Sequence, residues 1–242
     1  MGIPVWRRRE VPAAGPETEA TGNDPASSSP GAPRAVSRET PPTAGQEAEA
    51  VPLAQESWEA LQSRVRGCTA CTQLAAARTQ TVFGVGDPAA RWFFVGEAPG
   101  AEEDRRGEPF VGRAGQLLDN MLAALGIDRT REVFIANVLK CRPPGNRDPR
   151  PEEAVACRGF LDRQIALIQP QVIVALGRIA AQSLLDSDEP LGRLRSRQHR
   201  YQEVPLIVTY HPAYLLRRPM DKAKSWQDLL QARAYLRSHA EP

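Results

Sequence analysis

The residues that most narrow the chemistry are four thiols. Cys68 and Cys71 stand two residues apart, Cys141 lies between Lys140 and Arg142, and Cys157 follows after an interval of fifteen residues. A Cys-x-x-Cys pair lets two thiolates reach one centre from a single short turn, and two further cysteines complete a tetrathiolate set. Ordinary core cysteines would explain neither that spacing nor a thiol in a Lys-Cys-Arg segment. The N-terminus lacks the apolar stretch of roughly 7–15 residues that marks a secretory signal. The expectation is therefore a reducing cytoplasm, where thiols ligate metal more often than they pair. Zinc and a [4Fe–4S] cluster both accept four thiolates. Zinc sites usually show two short-spaced pairs, and the single short pair here leans towards iron–sulfur with zinc as the alternative.

Such residues need elements to position them, and the hydrophobic pattern supplies these. Trp58, Leu61 and Val65 share one helical face, which predicts a helix ending near Gly67. Arg91–Val95 reads as a buried strand running into the turn Gly96-Glu97-Ala98-Pro99-Gly100. Leu117, Leu118, Met121, Leu122 and Leu125 mark a helix that stops at Gly126, and Val133–Val138 is a second strand. A proline-rich loop, Arg142 to Arg150, leads to a helix opened by Pro151 and the acidic pair Glu152-Glu153. Val172–Leu176 and Leu206–Tyr210 are further strands, with helices from Gly177 to about Leu185 and from Trp226 to Leu236. Strands and helices alternate, and the strands are continuous apolar runs. The expected fold is therefore α/β: a three-layer α/β/α sandwich on a four-stranded parallel sheet. Ligands in such sheets bind beyond the carboxyl ends of the strands. Those ends here carry Gly-Glu-Ala-Pro-Gly, Asn-Val-Leu-Lys-Cys, Leu-Gly-Arg and Tyr-His-Pro-Ala.

The net charge of +2, from 31 basic and 29 acidic side chains among 242 residues, excludes a histone-like polycation. It is an average over two unlike segments. Residues 1–52 hold nine of the 22 prolines and five basic and seven acidic side chains, and between Arg7 and Ala50 the only large apolar residues are Val11 and Val36. This stretch should be a disordered tail, because it buries too little to offset chain entropy. Its start, Ile3-Pro4-Val5-Trp6 before Arg7-Arg8-Arg9, is either an untethered terminus or a docking motif for an unidentified partner. Residues 53–242 keep 26 basic and 22 acidic side chains, a net +4, and form the expected domain. No apolar run approaches the ~18 residues of a membrane span. A soluble protein without a membrane partner is expected.

Several segments together resemble a known family. Gly96-Glu97-Ala98-Pro99-Gly100-Ala101-Glu102-Glu103-Asp104, continued by Gly107-Glu108-Pro109-Phe110-Val111-Gly112-Arg113-Ala114-Gly115, resembles the first motif of family-4 uracil-DNA glycosylases. Asn137 to Arg147 resembles the second motif, and Tyr210-His211-Pro212-Ala213-Tyr214-Leu215-Leu216-Arg217 the last. The cysteine spacing is similar to that of the family's [4Fe–4S] site, so the resemblance assigns Cys68, Cys71, Cys141 and Cys157 as ligands.

It implies hydrolysis of the N-glycosidic bond of deoxyuridine in single- or double-stranded DNA, leaving an abasic site for base excision repair, by a monomer in the nucleoid-associated cytoplasm. Phe110 would stack on the flipped base, and Asn137 would distinguish uracil from cytosine. His211 would stabilise the departing uracil anion, and Glu97, with Asn146, would face the sugar and the attacking water. Ala98 and Gly100 line the base by the same resemblance. Arg142, Arg147 and Arg217 are candidate DNA contacts, with Arg150, Arg193, Arg195, Arg197, Arg200 and Arg218 as further basic residues near that edge. Tyr214, Leu215 or Leu216 would enter the vacated stack.

Departures from the pattern sort the subfamilies. A sister group that crosslinks itself to DNA carries a basic insertion ending in His, whereas Arg142-Pro143-Pro144-Gly145-Asn146 has none. Another group has an apolar residue where Glu97 stands. Ala213 replaces a Ser common among relatives. The alternative function is a non-catalytic DNA-binding or adaptor module on a structural zinc or iron–sulfur site, but such a module needs none of Glu97, Asn137 and His211.

Overall fold

A computed structural model of the chain describes residues 52–195 and 197–238. They belong to a compact unit, Glu49–Pro242. The expected tail and its Trp6 motif, Pro52 apart, lie outside the described residues.

In chain order the elements are α1 (Trp58–Gly67), α2 (Thr72–Ala77), β1 (Val85–Gly86), β2 (Trp92–Gly96), α3 (Ala101–Arg106), α4 (Arg113–Leu125), β3 (Val133–Asn137), α5 (Pro151–Ile168), β4 (Val172–Leu176), α6 (Arg178–Leu185), α7 (Leu191–Arg195), β5 (His199–Tyr201), β6 (Val204–Thr209), α8 (Pro212–Arg217) and α9 (Lys222–Ser238). Local chemistry sets several boundaries. Ser57 Oγ caps α1 by accepting from Ala60 N–H, and Pro151 with Glu152 and Glu153 opens α5. Gly126 ends α4 in the left-handed conformation.

The strands order as β1-β3-β2-β4-β6-β5. The inner four are parallel, in the expected sandwich, while β1 and β5 add antiparallel edges. The expected count of four strands is thus corrected to six. The added strands are short and half-buried or exposed, and His199-Arg200-Tyr201 offers no apolar run to detect. Successive strand residues point to opposite faces. Phe93, Phe134 and Ile173 face Leu61, Leu161 and Leu184 of α1, α5 and α6. Phe94, Ile135 and Val174 face Leu118, Leu122 and Leu229 of α4 and α9. Burial on both faces explains why these strands are apolar throughout.

The chain leaves β2 towards β3 on one side, and leaves β4 towards β6 on the other. The crevice beyond the carboxyl ends of β2 and β4 is therefore a topological switch point. No helix among the described residues is long and apolar enough to cross a membrane.

One largely buried ion pair joins α7 to the last helix, and the last strand shares its carboxylate. Arg195 donates to both Asp228 oxygens (2.9 and 2.8 Å), and Thr209 Oγ1 donates to the same carboxylate (2.7 Å). The Arg195 guanidinium also lies 4.5 Å from the Tyr210 ring centroid. Removing one partner leaves a desolvated charge, so Asp228→Ala should destabilise the fold by roughly 3–5 kcal/mol. Arg197→Ala, which breaks an exposed pair with Glu189, should cost under about 1 kcal/mol. Urea unfolding of both variants checks the contrast; equal midpoints would refute it.

Candidate active site and thiol site

A cleft of about 540 Å³ opens at the carboxyl edge of the sheet, lined among others by Glu97, Phe110, Asn137, Asn146 and His211. Glu97, Asn137 and His211 reach it from the ends of β2, β3 and β6, and Phe110 and Asn146 from the loops beyond, so residues far apart in sequence converge there. Ala98, Gly100, Arg147, Tyr214 and Arg217 line the same cleft.

Gly96, the last residue of β2, makes room for the cleft floor. A Cβ there would sit 2.4 Å from Asn137 Oδ1 and 2.7 Å from the Phe110 ring. Asn137 pairs with Gly96 across the parallel register and is 2% exposed. Its Oδ1 is buried without a hydrogen-bond partner. An orphaned buried carbonyl oxygen is costly unless a ligand donates to it.

Phe110 is nearly buried, and its ring stacks on the His211 ring (5.5 Å between centroids, 30°). Its backbone is left-handed, φ 54°, unusual for a bulky residue. His211 opens α8, and its Nδ1 accepts from Ala213 N–H (3.1 Å). That bond leaves Nε2 as the protonated nitrogen of the neutral ring. Burial, helped by Arg217, pulls the imidazole pKa down to about 4. Gly177 lets His211 approach, since a Cβ at Gly177 would fall 2.8 Å from His211 Cβ. Glu97 moves the other way: burial and then Asp148 push its pKa up to about 7, against Arg178. The cleft thus holds a neutral donor and a carboxyl group poised between its forms.

The basic rim is less uniform than its sequence. Arg142 Nε donates to Asn146 Oδ1 (2.7 Å), and Arg147 is bidentate on Glu153. Arg195 is committed to Asp228, and Arg197 to Glu189. Leu215 is corrected as a wedge candidate: it is 1% exposed and packs inward. Its neighbour Leu216 is exposed.

Cys68 follows α1, Cys71 precedes α2, Cys141 follows β3, and Cys157 lies on α5. All four are free thiols, two of them buried. They act on one another electrostatically, and burial pushes Cys157 up to about 11. Arg78 donates to Cys141 Sγ (2.8 Å) and to the Cys68 carbonyl (2.6 Å), and Lys140 N–H donates to Cys157 Sγ (3.4 Å). Among the described residues no group of three or more His, Cys, Asp or Glu side chains is gathered for a single metal ion. Lys140 is 1% exposed, and its Nζ donates to Asn137 O (3.0 Å) and Gln164 Oε1 (2.7 Å). Cys157 and Cys141, once ionised, would favour this buried ammonium against its desolvation. A buried cation needs a partner charge, so soft thiolate donors beside Lys140 and Arg78 fit an anionic tetrathiolate centre.

Sequence reasoning missed Glu103, Arg129 and the Arg195–Asp228 pair. Glu103 stood inside the quoted motif with no pattern of its own, and only the folded turn places it beneath Val111.

The fold and the cleft define a class. The profile of the uracil DNA glycosylase superfamily matches residues 83–230, and the chain belongs to that superfamily. Its similarity to the type-4 uracil-DNA glycosylase of Archaeoglobus fulgidus is 46% identity over 68% of this chain and 85% of the relative. With the type-4 enzyme of Thermotoga maritima it is 42% over 76% and 96%. A type-5 enzyme of Thermus thermophilus is 33% identical over 52% of this chain and 71% of the relative. Within the superfamily this chain is of the type-4 group.

Filling the slot should silence the cleft. Gly96→Ala is expected to lower uracil release at least ~100-fold, as displaced contacts do, with the far-UV circular dichroism unchanged. A folded variant that kept near wild-type release would remove this slot as the base site.

Proposed function

We propose that the chain takes deoxyuridine out of the DNA stack and hydrolyses its N-glycosidic bond, releasing uracil and leaving an abasic site for base excision repair. The unpartnered Asn137 Oδ1, buried in the wall that Phe110 and His211 share, carries this reading. Uracil offers what that amide lacks. Its N3–H donates to Oδ1, and its O4 accepts from Nδ2, whereas cytosine presents the opposite pattern at both positions. Phe110 covers the face of the base, with Ala98 and Gly100 beside it.

As the bond breaks, negative charge gathers on the base and positive charge on the sugar. His211 remains neutral at working pH, so Nε2–H donates to uracil O2 without first losing a proton. Glu97 in its carboxylate form stabilises the sugar cation and takes the proton of the attacking water, with Asn146 orienting that water. The water oxygen bonds to the sugar carbon, and the uracil anion leaves and is protonated by solvent. Arg142, Arg147, Arg217 and Tyr214 meet the DNA backbone at the rim, and exposed Leu216 takes the wedge role in place of Leu215.

Cys68, Cys71, Cys141 and Cys157 would hold a [4Fe–4S] cluster, with zinc the alternative occupant. Bound there, it would tie the segment around α1 and α2 to β3 and α5, a structural role. The 53–242 domain acts as a monomer in the cytoplasm, near the nucleoid, and residues 1–52 serve an unidentified partner.

A uracil-containing oligonucleotide followed by alkali should give a strand break with the wild type and none with His211→Ala plus Asn137→Ala. No break with wild type, or equal breaks, would overturn the enzyme reading. The pH profile adds a signed expectation. Because Glu97 acts as carboxylate and is raised to about 7, kcat/KM should climb as pH rises through about 7. His211, near 4, adds no limb above pH 5. Glu97→Gln should lower the rate ~10²–10⁴-fold and flatten the profile; a retained limb would assign it elsewhere. Purified protein should be brown, with absorbance near ~400 nm and about four irons per chain. A colourless, zinc-loaded protein would favour the alternative occupant.

A further inference from the structure

Phe110 holds a conformation that a bulky residue does not choose alone. Its φ of 54° lies in the left-handed region, where Cβ crowds the backbone. Three features hold it there. A Cβ at Gly115 would lie 1.7 Å from the Phe110 carbonyl oxygen, so only glycine lets α4 start against that carbonyl. Glu103 Oε1 accepts from the N–H groups of Val111 (3.0 Å) and Gly112 (3.1 Å), fixing the chain just after Phe110. Arg129 Nη2 donates to the carbonyls of Phe110 (2.9 Å) and Pro109 (3.2 Å), fixing the chain just before it.

Arg129 reaches in from the loop between α4 and β3, and its Nε lies 3.2 Å from Asp119 Oδ1 on α4. It does not line the cleft. Glu103 itself lines the cleft, whereas Arg129 contacts the backbone that carries the ring and, away from the cleft, Asp119. A cation on two consecutive carbonyls opposes the relaxation of φ that would swing the ring off His211.

We propose that Arg129 is a positioning residue for base stacking: it locks the left-handed turn that aims the Phe110 ring into the base slot. This rests on the cleft being the uracil site described above. Loss of Arg129 should therefore weaken recognition of the base and leave recognition of DNA without a base untouched.

The test uses full-length protein and two single-stranded oligonucleotides. One carries a 2′-fluoro-deoxyuridine that resists hydrolysis, and the other a tetrahydrofuran abasic analogue at the same position. Arg129→Met should weaken binding of the first ~tenfold, in the range of a lost charge-assisted hydrogen bond. Binding of the second should be unchanged. In a Phe110→Ala background, Arg129→Met should add nothing, because the group it positions is gone. Arg129→Lys, which keeps the charge but not the fork, should fall between. Equal weakening on both oligonucleotides, or full additivity with Phe110→Ala, would overturn the proposal. If Arg129→Met does not fold, Arg129→Lys carries the same contrast, and the absence of any base-dependent loss in it overturns the proposal. Failure of the wild type to prefer the base-bearing oligonucleotide would instead refute the underlying site assignment.

Discussion

At the end of β2 there is no room for a β-carbon, and much of the cleft follows from that. The parallel register sets Gly96 opposite Asn137, so the two strand ends are closer than two side chains allow. The carboxamide and the Phe110 ring occupy the volume that any other residue would fill. That arrangement buries Asn137 Oδ1 without a partner, a cost the fold bears only where a ligand can repay it. A second glycine works alike on the far side, where Gly177 admits the His211 backbone. Close backbone approach at two strand ends thus brings an amide, an aromatic face and an imidazole to one cleft wall.

Electrostatics then divides labour between two groups that burial affects oppositely. Desolvation disfavours the charged form of each: the imidazolium of His211 and the carboxylate of Glu97. For the imidazole this is permanent near neutrality, so it is a hydrogen-bond donor and not a cation. A cation there would bind DNA phosphate as readily as a developing uracil anion. For Glu97 the shift leaves its two forms nearly balanced, and cationic sugar in the transition state favours the charged one. On the proposed mechanism one physical effect, burial, prepares both ends of the breaking bond.

How much of this was legible in the chain differs by residue. The four inner strands were readable because burial on both faces makes them uninterrupted apolar runs. His199-Arg200-Tyr201 was not, since an edge strand with polar side chains owes its pairing to β6 and not to its own pattern. The cleft residues were legible as strand-end motifs: Glu97, Asn137 and His211 stand at or just beyond those ends. The wedge was not, because Leu215 and Leu216 are identical in type and only the packing of α8 decides which one is buried. Arg195 was illegible for a related reason. Arg195 and Arg217 look alike in sequence, yet a carboxylate on α9 claims the first.

The thiol site and the proposed base site are joined through one short stretch of chain. Asn137 ends β3, Lys140 follows three residues on, and Cys141 is next. Lys140 Nζ donates to the Asn137 carbonyl, while its backbone N–H points at Cys157 Sγ. The backbone that carries the recognising amide is thus held by sheet register on one side and by the thiol segment on the other. An amide that discriminates two bases by exchanging donor for acceptor must be fixed within about 0.5 Å. A loop free at one end could not hold it so. The physical case for a structural centre here is therefore not only that it staples α1, α2 and α5 together. Such a centre would also close the far end of the segment that carries Asn137, the proposed base-selecting residue.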